Sequence, residues 1–287
     1  MSVETMVHAA IARVDAEIER VDSLTPALRR FETAVRDLDP VDDRAPASEE
    51  PTRLADGGIA AASRREFRAS HPGESRNAAG NVDHAAVVRD AFAETVLSVR
   101  DEGSNSSPSA STPTVLRGLR SEFGDEIAVA LAPGTNARFT PPVKRALQSA
   151  IAGRRGELRA FRAALDRERE SLRSAREDVD AVVSWIASAD ETPLSELGFE
   201  ALRDRHETLD RHRERCESRL SERQRTLGSA TGHGAEAGLT HRSLVAHLYG
   251  DVDEFPTTHP VLSTVVRLID CCESCQRSVR DHLTRRV

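Results

Sequence analysis

Apolar residues recur along this chain at alternating steps of four and three, a spacing that lines them up on one stripe of a helix and on neither face of a strand. The first such run is Val3, Val7, Ala10, Val14, Glu17, Val21, Leu24, Leu28, Phe31, Val35 and Leu38, apolar except at Glu17. Thr25 before Pro26 has the form of a cap followed by proline at the first helical position, so a kink or restart is expected there. The longest run is Leu147, Ile151, Arg154, Leu158, Phe161, Leu165, Glu168, Leu172, Ala175, Val179, Val182 and Ile186. Thr140-Pro141-Pro142 supplies its start signal and Pro193 its stop. At 1.5 Å per residue such a helix is roughly 65–70 Å long, a rod that must pack on other rods.

A partner run follows after a short connection (189–198): Leu202, His206, Leu209, Arg213, Cys216, Leu220, Arg223 and Leu227. Short connections join antiparallel neighbours. A last run holds Leu262, Val265, Ile269, Cys272, Gln276, Val279 and Leu283, and shorter apolar faces occur at 83–100, 115–123 and 127–131. Thr240 caps a short helix ending at Tyr249-Gly250. Stretch 39–80 is rich in Pro, Gly, Ser and acid, has no period, and reads as a disordered linker. No stretch alternates with period two for more than a few residues. The expected fold is therefore all-α: an elongated helical bundle (81–287) built on a long antiparallel coiled-coil hairpin (141–228), with a C-terminal helix (260–286). A separate N-terminal helix (1–38) is expected to join the bundle or to associate in trans.

Composition narrows what such a bundle can do. Ten aromatics in 287 residues leave little for base stacking or for an aromatic-lined cofactor pocket, and no cofactor is expected. No apolar run approaches a membrane span, and the first residues, with Glu4, lack the order of a secretory signal. The net charge is −7, and Lys144 is the single lysine beside 39 arginines. That balance suits a high-salt cytoplasm and opposes general nucleic-acid binding, which comes from neutralised phosphates. One local exception is 143–176, where ten Lys/Arg face four acids; a solvated, internally paired helix face is the plainer account.

The segments AAVVRDAFAETVLSV, LRSEFGDEIAVAL, the TPPVKRAL helix start, FEALRDRHETLDRHRERCESRLSERQ, LVAHLYGDVDEFPTTHPVL and DHLTRRV follow a helical N-terminus and a variable linker. Together they resemble a haloarchaeal family of unknown function built of coiled-coil helices, over 83–287 plus the first helix. The resemblance implies a soluble cytoplasmic protein from a high-salt cell and brings no activity or catalytic residues with it.

Four cysteines offer the most chemistry. Cys272 and Cys275 are three apart on one helix, and His212 and Cys216 four apart on another. Side by side, these helices would offer three thiolates and an imidazole to a tetrahedral zinc, with Cys271 pointing elsewhere. The plainer account is that Cys216 and Cys272 fill seam positions as small apolar residues. Arg154 and Glu168 break the apolar seam and call for partners across the bundle, or for solvent where the seam frays. His206 reads as a core histidine, and His282 as a contact at a helix C-terminus. The Gly-rich stretch 228–238 lacks the strand and lysine of a phosphate loop, and Asp251 and Asp253 open a calcium-like loop with Pro256 and Leu262 where Gly and Glu belong. The expectation is a non-catalytic structural or interaction protein acting through its heptad seams, by self-association or with a protein partner. A thiol- or zinc-dependent sensor using Cys272, Cys275, Cys216 and His212 comes second, and weak nucleic-acid association through 143–176 third.

Overall fold

A computed structural model of the chain describes residues 4–41, 83–101, 111–134, 138–228, 240–250 and 255–285. The linker expected over 39–80, apart from 39–41, lies outside the described residues. So do the Gly-rich stretch past Gly228, Asp251 and Asp253, Val3 and Arg286. Regular structure among the described residues is entirely helical. The elements are α1 (Met6–Asp37), α2 (His84–Phe92), a π turn (Ala93–Leu97), α3 (Ser98–Asp101), α4 (Thr112–Phe123), α5 (Asp125–Ala130), α6 (Pro141–Asp190), α7 (Phe199–Gly228), α8 (His241–Tyr249) and α9 (Pro260–Thr284).

Start signals in the sequence are used as written. Helix α6 opens at Pro141 and runs for 50 residues, about 75 Å. Thr240 caps α8 with a reciprocal pair: its hydroxyl accepts from the Ser243 N–H, and the Ser243 hydroxyl accepts from the Thr240 N–H. Pro26 behaves otherwise. Helix α1 is continuous through it, and Thr25 does not cap; its hydroxyl donates back to the Val21 carbonyl at 2.9 Å, as threonines inside helices do. The apolar stripe on both sides of Pro26 is buried, and that packing carries the helix through the proline without a restart.

The chain divides into two compact units, and the division falls within helices rather than at the change in composition. The first unit comprises Met1–Arg29 and Ala152–Val287. In it α1 lies along α6: Asp22 pairs with Arg162, Asp15 with Arg169 and His8 with Asp180, so residue numbers fall on α1 as they rise on α6. The N-terminal helix is thus not separate over this stretch. Its seam residues Val7, Ala10, Val14 and Val21 are buried within the same chain. Glu168 and Asp178 of α6 pair with Arg223 and Arg219 of α7, and Trp185 packs on His212 with ring centroids 5.2 Å apart. Gln276 of α9 donates to the Asp210 carboxylate of α7 at 3.4 Å.

The second unit, Arg30–Ile151, has an aromatic core. Phe31, Phe92 and Phe123 form a triangle with centroids 5.4, 5.8 and 5.9 Å apart, in edge and offset-stacked arrangements that aromatic quadrupoles favour. Gly118 lets α4 approach this cluster, since a β-carbon there would lie 2.9 Å from the Phe92 ring. The ammonium of Lys144 donates to the carbonyls of Arg36 and Leu38, at 2.7 and 2.6 Å, and so closes the C-terminus of α1. Arg89 serves the Leu131 carbonyl at the end of α5 in the same way.

Candidate functional site

The most concentrated chemistry among the described residues is a knot of polar side chains in the first unit. Glu168 sits on the α6 seam between Leu165 and Leu172 and is 0% exposed. Arg223 holds the same kind of place on α7, and its two terminal nitrogens donate to the two Glu168 oxygens at 2.8 and 2.7 Å. A planar guanidinium matches a carboxylate in this forked way, whereas an ammonium cannot. One of the same nitrogens also donates to the Ser171 hydroxyl at 3.1 Å.

Helix α8 completes the knot from both of its ends. His241 and Tyr249 stand eight residues apart on one face, with Val245 between them; all three are buried. His241 Nε2 donates to one oxygen of Glu168 at 2.7 Å, and the Tyr249 hydroxyl donates to the other at 3.1 Å. Tyr249 also packs edge-on against Phe255 with centroids 5.0 Å apart. Four donated hydrogen bonds thus fill the acceptor sites of one carboxylate.

Burial alone would push the Glu168 carboxyl up. The bonds from His241 and then Arg223 outweigh that burial and hold it at about 2, so the group stays ionised. Tyr249 moves the other way, well above the usual phenol range, first through burial and then through the Glu168 charge; it remains a donor. The polar side chains of the knot, Glu168, Arg223, His241 and Tyr249, are all buried. Its chemistry is that of a pin which fixes α6, α7 and α8 in one register.

The predicted zinc ligands divide rather than converge. Cys216 and Cys272 are buried and lie close enough to influence each other electrostatically. Burial, then Asp178, pushes the Cys216 thiol up to about 11; burial, then Cys216, pushes Cys272 up to about 12. Both are inert packing groups at neutral pH. Cys275 lies within electrostatic reach of Cys271, one turn away on α9 and the residue expected to point elsewhere. His212 faces Trp185, and burial, with Arg211 and Arg215 nearby, lowers its basicity. Among the described residues no three His, Cys, Asp or Glu side chains gather as a metal ion would require.

Part of the basic stretch 143–176 is spent within the chain. Arg154 pairs with Glu157, Arg162 with Asp22 and Asp166, Arg169 with Asp15 and Asp166, and Arg176 with Asp180. The Arg162 guanidinium is stabilised above its ordinary value by Asp22, then by Asp166. His206 is half-buried, and its carbonyl accepts weakly from Gln276 at 3.5 Å. In the second unit an open hollow of about 460 Å³ is lined by Phe123, Asp125, Glu126, Ile127 and Ser149, but Asp125 is already paired with Arg120. No described helix is long and apolar enough to cross a membrane.

Fold and site together define a helical chain whose strongest electrostatics serve packing. The chain belongs to the family described as a domain of unknown function (DUF7260), whose model matches residues 5–276. Comparisons with curated proteins and with solved structures found no match.

Sequence reasoning singled out Glu168 as needing a partner across the bundle but assigned none. Arg223 was already visible as the other long polar residue on a facing seam. The α8 residues were missed, although His241, Leu244, Val245, Leu248 and Tyr249 follow the i, i+3, i+4, i+7, i+8 spacing of a buried helix face.

Proposed function

We propose that this chain is a non-catalytic helical protein that acts on a protein partner as a scaffold, with α6 and α7 forming a long antiparallel coiled-coil hairpin as its frame. The observation that carries the reading is the order of the pairs along the two helices. Glu168 meets Arg223, Asp178 meets Arg219 and Arg215, and Trp185 meets His212, so positions descend on α7 as they ascend on α6. The seam residues Leu158, Leu165, Leu172, Val179, Leu202 and Leu209 are buried in a single chain. That favours partner binding through outer faces over assembly through the seams. Exposed large apolar side chains such as Phe199, 51% exposed at the start of α7, are the kind of residue such a face uses.

Two measurements test this. Light scattering after gel filtration in molar KCl should give one chain, 31.3 kDa; a stable dimer would mean that the seams are shared between chains. A photo-reactive residue in place of Phe199, activated in the cells of origin, should give a discrete protein adduct that a probe at buried Leu172 does not. Products confined to the chain itself would sink the scaffold reading.

A further inference from the structure

The thiols of α9 are arranged differently from the way their spacing suggests. Cys271 and Cys275 are one helical turn apart, where β-carbons lie about 5–6 Å from each other on the same face. Cys271 is exposed, Cys275 is half-buried, and the two lie within electrostatic reach of each other. Neither is in a disulfide. Cys272, between them in sequence, points into the core beside Cys216. The pair is therefore a preformed surface dithiol on a rigid 25-residue helix, with neither sulfur committed to the core.

We propose that Cys271 and Cys275 form a two-thiolate binding site for a soft monovalent cation of the Cu(I) type. Two donors on one turn, without a third, define the class. Zinc asks for four tetrahedral ligands, and the described residues gather no group of even three. Cu(I) is the ion that soft thiolates select, and it accepts two-coordination. Asp190 lies near enough to act on Cys275 electrostatically but does not complete a third ligand. Binding replaces two S–H bonds with two S–Cu bonds and releases two protons to solvent; no electron is transferred.

The test uses the full-length, fully reduced protein without oxygen, competing for Cu(I) against a coloured bicinchoninate complex. The unmodified protein should withdraw one equivalent. Cys271→Ser and Cys275→Ser should each weaken retention by about tenfold or more, because one thiol cannot supply the two-coordinate geometry. Cys216→Ala, which removes a thiol from the core pair, should retain the full equivalent, and circular dichroism should show all variants helical. No uptake by the unmodified protein, uptake that survives both serine variants, or loss in Cys216→Ala with helicity intact would each overturn the proposal.

Discussion

The two compact units meet the same requirement, to fix short and long helices against one another, with opposite chemistry. The first places a fully buried carboxylate at its centre and surrounds it with four donated hydrogen bonds from Arg223, His241 and Tyr249. The second places three phenylalanine rings at its centre and lets a glycine bring α4 close. A buried ion pair contributes little net stability over an apolar replacement, because desolvation offsets the attraction; what it adds is intolerance of any other arrangement. An aromatic cluster contributes through buried area and tolerates small shifts. The first unit should therefore be exacting about register and sensitive to pH, and the second indifferent to both.

The largest effect should come from leaving half of the knot behind. Arg223→Ala takes the guanidinium from the buried Glu168, leaves it only the donors of His241 and Tyr249, and should destabilise the first unit by about 3–5 kcal/mol. Replacing the whole knot, Glu168→Leu and Arg223→Met together with His241→Leu and Tyr249→Phe, leaves no buried donor unpaired and should cost far less than the single change. Trp185 is the sole tryptophan and belongs to the first unit, so its fluorescence in urea isolates that unit from the second. A quadruple variant as damaged as Arg223→Ala would mean that the knot contributes more than specificity.

In the second unit Phe92→Ala should cost about 3–5 kcal/mol through lost transfer energy and a cavity. Hydrogen exchange of α2 and α4 should rise sharply while the Trp185 transition stays in place. A matching loss of Trp185 signal would mean that the two cores unfold as one.

Acid should separate the units by a somewhat smaller margin. The Glu168 carboxyl falls from an unfolded value of 4.5 to about 2 in the fold. A depressed folded value contributes stability that is present above the unfolded value and is lost as pH falls from 4.5 toward 2. A shift of this size corresponds to roughly 3 kcal/mol at neutral pH. The urea midpoint of Trp185 fluorescence should fall more steeply between pH 5 and 3 in the parent than in Glu168→Gln, whose amide does not titrate. Parallel slopes would show that Glu168 carries no such linkage.

How much of this was legible follows from where the knot lies. In the hairpin proposed above, which turns near Ser195, Glu168 stands 27 residues before the turn and Arg223 stands 28 after it. Both polar seam residues were in plain sight, and counting from the turn would have paired them. Arg154 stands 41 residues before the turn, whereas α7 ends only 33 after it, at Gly228. It lies beyond the reach of α7, and its visible ion pair is with Glu157 one turn along its own helix. The helices themselves could be read because apolar spacing and caps are local. The docking of α8 and the Phe31, Phe92 and Phe123 cluster depend on rotation about helix axes and on contacts far apart in sequence, which no spacing rule encodes. The π turn at Ala93–Leu97 also escaped, since it adds one residue within what reads as a single helix from 83 to 100.

The smallest expected effect concerns the end of α1 in the second unit. A helix leaves its last four carbonyls without partners, and here the half-buried Lys144 supplies donors to those of Arg36 and Leu38. A lysine ammonium can turn its protons toward two carbonyls that diverge, whereas the flat fork of an arginine cannot follow them both. This gives the chain's single lysine a physical reason to stand among 39 arginines. Lys144→Met keeps the aliphatic stem and removes the donors, and should cost about 1 kcal/mol, seen as faster exchange in the last turn of α1. Lys144→Arg should recover only part of that. Because no other lysine competes, an amine-reactive label located by peptide mapping, which sets aside the α-amino group, reads the same contact: modification of Lys144 should be slow in the folded protein and fast in urea. Rapid labelling of the folded chain would show that its ammonium is free in solution and that the end of α1 is held by something else.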